Sequence, residues 1–353
     1  MDTIGLDLHK RESQLCIKDG GTGQLRELRI ATSRERFTSV LGGRPRARIL
    51  LEASTESEWV ARHLESLGHE LIVADPKYAP MYAHRSRRAK SDKRDARMLM
   101  EACATGGYRP AHRLSEAQRE VRAELAVRDA LVRTRTRYIA LAKSLTRRDG
   151  WRVPSSAPET VLTHIAALDL STALRTALTP LVAVCAPLNA QIGAADHRLV
   201  LLMRDNLVVA LLATAPQIGP VTASAFVATI DDVARFRTAH EVEAYLGLVP
   251  SEESSGDKRQ LGRITKAGNT RMRWLLVEAG WRILRSRTPE TAALRTWALD
   301  IAHRRGKRIA VVALARRLAG ILYSMWRDNA PYDDRKLRTG RARRRGTTET
   351  AAA

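Results

Sequence analysis

Apolar and polar residues alternate through the first third of the chain in short runs separated by turn residues. Residues 2–8, 13–18 and 25–31 show the two-residue period of half-buried strands, and Asp19-Gly20-Gly21-Thr22-Gly23 makes the turn between the last two. Ser33 offers a side-chain oxygen to cap a short helix through Leu41, which Gly42-Gly43 ends. Ala47-Arg48-Ile49-Leu50-Leu51-Glu52 reads as a fourth strand, helical spacing follows near 57–67, and 69–75 is a fifth apolar run. Three meandering strands followed by alternating helix and strand predict a mixed sheet with helices on its faces.

The pattern then becomes helical. Leu125, Val132 and Ile139 repeat every seven residues from Leu114 to about Thr146, which predicts one long helix in a helical hairpin or coiled-coil seam. A second apolar row begins with Leu114 and Val121, but Arg128 and Arg135 take it over. Pro154 and Pro158 mark a break, and helices resume through about residue 206 with Pro180 and Pro187 predicted to interrupt them. Ala215-Pro216-Gln217-Ile218-Gly219-Pro220 sets glycine between two apolar helical stretches. It suits a helix-hairpin-helix or a plain helix–helix turn equally, and Gln217 stands where such hairpins often carry glycine. Asn269 is placed to cap a helix containing Leu275, Leu276, Ala279 and Ile283, and 309–326 predicts another. The expected class is therefore α/β followed by α. Its expected segments are an α/β domain at 1–110, a helical region at 111–206, a C-terminal domain at 207–330 and a basic disordered tail at 331–353.

Charge narrows the partners. Lys and Arg number 60 against 38 acidic residues, a formal +22, which favours a polyanion because each neutralised phosphate releases counterions. Cys16, Cys103 and Cys185 are far apart and lack CxxC spacing, so neither a zinc site nor a disulfide framework is expected, and a reducing cytosol suits them. The first residues show no signal-peptide pattern, and no uninterrupted apolar run approaches the ~18 residues of a membrane span. Nucleic acid is the expected partner; a membrane is not.

The candidate chemistry is acidic inside that basic field. Asp92 and Asp95 share a helix face, and Lys90, Lys93, Arg94 and Arg97 surround them. Alone, such a pair is ordinarily a solvated helix start. Asp7 and Glu52, however, end the first and fourth strands, where open α/β sheets gather ligands, so four carboxylates can converge. Oxygen ligands of that kind suit magnesium, with manganese as the alternative, and two ions about 3.5–4 Å apart clamp the attacking and leaving oxygens of a phosphodiester. Arg133, Arg137, Lys143, Arg147 and Arg148 crowd one stretch of the long helix, which fits either a solvated surface or a nucleic-acid contact. Later, Ser255-Gly256 lies near Lys258, Arg259, Arg263 and Lys266. A loop serine is usually a turn residue, but one beside glycine and cations can also approach a phosphate.

Several of these motifs occur together in an order that resembles the bacterial DEDD-type insertion-sequence transposases, the bridge-RNA-guided recombinases. The resemblance spans roughly residues 2–330. Its carriers are Ile4-Gly5-Leu6-Asp7, Leu51-Glu52-Ala53-Ser54, Lys90 to Leu99, Gly247-Leu248-Val249-Pro250 with Ser255-Gly256, Gly262 to Asn269, and Gly306-Lys307-Arg308. It implies an N-terminal RuvC-like domain of RNase H type in which Asp7, Glu52, Asp92 and Asp95 form the metal-binding set. It also implies a C-terminal transposase domain with Ser255 as nucleophile, and homo-oligomers from dimer to tetramer in which one protomer's RuvC-like domain completes a site with the serine domain of another. Donor and target DNA, and an element-encoded noncoding guide RNA pairing with both, are the implied partners.

Overall fold

The computed structural model describes residues 1–82, 91–252 and 261–335. Ser255, its neighbours Ser254 and Gly256, Lys258, Arg259, Lys90 and the tail past 335 lie outside the described residues. The chain divides into two compact units, Met1–Leu114 and a second beginning at Ser115. The division falls four residues past the expected 110/111 boundary, and the second unit spans the expected boundary at 206/207.

In the first unit, β1 (Thr3–Leu8), β2 (Glu12–Lys18) and β3 (Leu25–Ala31) form an antiparallel meander. After α1 (Arg34–Leu41), whose first turn the Ser33 hydroxyl caps by accepting from the Arg36 amide, β4 (Arg48–Glu52) pairs parallel to β1. The crossover helix α2 (Ser57–Ser66) leads to β5 (Glu70–Ala74), parallel to β4, and the sheet order is β3-β2-β1-β4-β5. A final helix, α3 (Asp92–Thr105), starts at a Ser91 cap.

Strand parity assigns the two faces. Ile4, Leu6, Ile49 and Leu51 pack with Phe37, Leu41, Val60 and Leu64 of α1 and α2. On the opposite face, Leu50 packs with Leu99 and Cys103 of α3, and Cys16 packs with Ala96 and Met100. Gly5 lets α3 approach: a Cβ there would lie 2.1 Å from the Ala96 carbonyl oxygen and 2.2 Å from the Met100 amide nitrogen. Only glycine leaves room for that backbone contact.

The second unit opens with α4 (Glu116–Arg148), and after α5 (Val161–Ala166) comes α6 (Thr172–Met203), which packs along α4. Pro180 and Pro187 lie inside α6 without ending it, contrary to the expected interruptions. Both prolines are exposed, while Leu178, Cys185, Leu188, Ile192, Ala195, Leu199 and Met203 are buried at three-, four- and seven-residue spacings. Packing along that stripe holds the helix together against a cost of about 3 kcal/mol for each interior proline. The α4 seam likewise continues where arginine replaces apolar residues. Arg128 pairs with Asp196 of α6, and the buried Arg135 donates to Glu159 Oε1 at 2.6 Å and Asn189 Oδ1 at 3.0 Å.

The remaining elements are α7 (Leu207–Leu212), α8 (Pro220–Ile230), α9 (Ala239–Tyr245), the antiparallel β6 (Pro250–Glu252) and β7 (Leu261–Ile264), then α10 (Thr270–Arg285), α11 (Ala292–Arg305) and α12 (Lys307–Asp328). In the turn before α8, Gln217 adopts φ 63°, the left-handed conformation that glycine ordinarily supplies. Helices α8, α10 and α12 bury Phe226, Leu276, Leu318 and Tyr323 in the main core of this unit. Among the described residues, two helices, Thr172–Met203 and Lys307–Asp328, are long and apolar enough to cross a membrane by length and composition. The sequence expectation counted only uninterrupted apolar runs, whereas these helices spread apolar residues around a few polar ones. Helix α12 meets that standard as a core helix, with Val311, Leu314, Leu318 and Leu322 fully enclosed.

Candidate carboxylate site and basic surfaces

Four of the residues singled out in the sequence meet at one end of the α3 face of the sheet. Asp7 follows Gly5 by two positions, and Glu52 follows Leu50 by two, so parity turns both towards α3. β1 and β4 are adjacent and parallel, which sets these side chains side by side at their C-terminal ends. Ser91 accepts from the Arg94 amide at 3.4 Å and begins α3, whose first turn carries Asp92 and Asp95. Acidic groups there also interact favourably with the helix dipole.

Burial differs across the set. Asp95 is 8% exposed, the Asp7 side chain 14% and the Asp92 side chain 49%. Burial pushes the Asp7 carboxyl up to about 6; His9 opposes this, while Asp95, Asp92 and Glu52 add to it. The negative charges of Asp95, Asp92 and Glu52 are thus felt at the Asp7 carboxyl. Asp7 Oδ2 is buried and without a hydrogen-bond partner among the described residues. An orphaned, desolvated oxygen facing like charges is costly, and a cation relieves both burdens. The donor set therefore fits a divalent metal.

Two further residues belong to this site. His9, just past β1, brings Nε2 to 3.3 Å from Asp7 Oδ2 and 3.6 Å from Asp92 Oδ1. Gln14, the register partner of Asp7 on β2, is 3% exposed and lines a cleft with Glu27, Arg29, Ser91, Asp92 and Lys93. Sequence reasoning missed both. The Asp7-Leu8-His9 alternation, which puts aspartate and histidine on one side of extended chain, was the available signal.

The predicted basic residues fall into separate groups. Arg133, Arg137, Arg147 and Arg148 of α4 are exposed and Lys143 is half-buried; Arg133 pairs with Asp129 at 2.9 Å. Arg263 on β7 and Lys266 beyond it are exposed, Lys266 with φ 56°. Buried Arg273 of α10 donates through Nη1 to the carbonyls of Leu246, Ala267 and Gly268, at 3.1, 2.6 and 3.2 Å. It thus ties the Gly247 and Gly268 motifs together. A Cβ at Gly268, which has φ 74°, would meet the Tyr245 carbonyl at 2.0 Å.

A mixed α/β sheet with carboxylates gathered at adjacent strand ends, in a chain of strong positive charge, suits an enzyme that holds a divalent metal beside a polyanion. Residues 4–147 match the IS110-type DEDD transposase family model, and residues 209–295 match the model described as "Transposase IS116/IS110/IS902 family". The chain is 30% identical over 335 residues to a probable family 20 transposase of Pseudomonas aeruginosa, covering 92% of this chain and 96% of that protein. It is 27% identical to the transposase for insertion sequence element IS1328 of Yersinia enterocolitica, over 91% of this chain and 95% of that one. The transposase for IS1111A of Coxiella burnetii is 25% identical, over 91% and 88% of the two chains. The chain belongs to the IS110 family of insertion-sequence transposases and is a DNA transposase.

Proposed function

We propose that this transposase moves its element by guided strand exchange, with Asp7, Glu52, Asp92 and Asp95 holding magnesium (manganese as a substitute) and Ser255 as the nucleophile. The observation supporting the metal role is the buried Asp7 oxygen without a hydrogen-bond partner among the described residues, with the charges of Asp95, Asp92 and Glu52 acting on the same carboxyl. A divalent ion bound there supplies neutralising charge at the scissile phosphate. The residues of the chain do the rest. Asp95 and Asp7, each more buried than Asp92, fix the site, while the more exposed Asp92 faces the open side. The Ser255 oxygen forms a bond to phosphorus as one phosphorus–oxygen bond of the DNA breaks. The serine proton passes to a base and the released DNA oxygen is protonated. Attack by another DNA hydroxyl on the phosphoserine rejoins the strand and restores the serine.

Arg133, Arg137, Lys143, Arg147, Arg148, Lys258, Arg259, Arg263 and Lys266 serve donor DNA, target DNA and an element-encoded guide RNA. The exposure of Arg133, Arg137, Arg147, Arg148, Arg263 and Lys266, the half-exposed position of Lys143 and the net charge of +22 support that role. Exposed Val127 and Leu141 on α4, with Val184, Val200 and Leu201 on α6, support assembly into a homo-oligomer, a dimer to a tetramer. The element acts in the bacterial cytosol at the nucleoid.

The test is covalent trapping. Wild-type protein incubated with element-end DNA and its guide RNA yields a protein–DNA adduct mapped to Ser255. Ser255→Ala abolishes it and Ser254→Ala retains it. Normal cutting by Ser255→Ala, with no adduct in the wild type, would replace this reading with a metal-only nuclease.

A further inference from the structure

His9 is held in place by its backbone. Its carbonyl accepts from Thr32 Oγ1 at 2.8 Å, and Thr32 Oγ1 shares a 2.6 Å hydrogen bond with Ser13 Oγ. The ring, 52% exposed at the side chain, stands at the open mouth of the acidic site. One ligand atom from each of Asp7, His9 and Asp92 lies within 4.8 Å of the other two.

The imidazole nitrogen stands between two carboxylates, an arrangement that suits a protonated histidine or a shared cation. Asp7 Oδ2 remains without a hydrogen bond although the imidazole nitrogen is 3.3 Å away, and the same nitrogen faces Asp92 Oδ1 at 3.6 Å. Donor atoms around an octahedral ion with bonds of about 2.1 Å sit about 3 Å apart when adjacent and about 4.2 Å apart when opposite. The two separations from the imidazole nitrogen, 3.3 and 3.6 Å, fall between those adjacent and opposite values, and the three residues' ligand atoms lie within 4.8 Å of one another. We propose that His9 is a nitrogen ligand of the metal, which makes the site a mixed nitrogen–oxygen one. Imidazole is a softer donor than carboxylate, so His9 shifts preference from magnesium towards manganese. This inference rests on the carboxylate metal-site reading and adds a ligand to it.

The experiment adds Mn2+ alone to the full-length protein and records pulsed electron paramagnetic resonance. The expected wild-type spectrum shows 14N coupling from a directly bound imidazole, and His9→Gln removes it. Labelling the unsubstituted chain with 15N-histidine converts the coupling to 15N, which tests the ligand without any substitution. His9→Gln also weakens Mn2+ binding about tenfold and Mg2+ binding by less than about threefold, as expected for losing a nitrogen ligand. Bound Mn2+ without nitrogen coupling, or coupling that survives His9→Gln, would overturn the His9 assignment and leave the carboxylate site standing. A wild-type protein that binds no Mn2+ would overturn both.

Discussion

At the scale of single residues, Asp7 links stability to function. Its carboxyl is raised from 3.8 to about 6, chiefly by burial. A group that binds its proton more tightly when folded stabilises the protonated fold, so the sign is fixed. For the metal-free protein, the penalty from ionised Asp7 is fully present above pH 6 and disappears as pH falls towards 4. Asp7→Asn removes that penalty. Denaturant titrations of metal-free protein are expected to show the variant gaining stability over wild type at pH 7.5 and losing the advantage near pH 4.5. An advantage unchanged with pH would contradict the burial of this carboxyl. The four acids were legible in the sequence because strand ends and a helix start are readable from pattern. His9 was legible only as an alternation with Asp7, and Gln14 was not legible at all, because its relation to Asp7 depends on the register of β2 against β1.

At the scale of elements, close approach decides whether the site assembles. Gly5 has no space for a side chain under α3, so Gly5→Ala must push α3 away and carry Asp92 and Asp95 with it. Overpacking of this kind typically costs about 1–3 kcal/mol. Calorimetry on Gly5→Ala is expected to show that loss together with at least about tenfold weaker divalent-metal binding, as when the shell orienting a metal ligand is disturbed. Destabilisation with metal affinity intact would show that α3 does not position the site. The α4–α6 pair shows where sequence reading stopped. The heptad of α4 was visible, but Arg128 and Arg135 read as the end of the seam, because their partners Asp196, Glu159 and Asn189 lie far along the chain. The two prolines of α6 read as breaks for the same reason: tertiary packing, invisible in local pattern, overrides local propensity.

At the scale of the molecule, the +22 charge sorts the arginines by role. Arg135→Ala is expected to lower stability by about 1–3 kcal/mol through a cavity and unpaired polar groups, with DNA affinity unchanged. Arg147→Ala with Arg148→Ala is expected to do the reverse. It leaves the melting temperature within about a degree and lowers the slope of log affinity against log salt by about 1–2. Fluorescence-anisotropy titrations at several salt concentrations, paired with thermal melts, check both. An Arg147/Arg148 double variant with the wild-type slope would remove the long helix from the nucleic-acid surface.

The claim on which the rest depends is that segments distant in sequence enclose one metal. Iron-directed cleavage tests it most directly: Fe2+ loaded in place of the native ion, with ascorbate and peroxide, cuts the backbone near wherever it is bound, and mass spectrometry locates the cuts. The account predicts cuts near residues 7, 52 and 92–95 in the same sample, all suppressed by excess Mg2+ and all lost in Asp7→Asn. Cuts confined to a single one of these segments, or a cleavage pattern indifferent to Asp7→Asn, would contradict it.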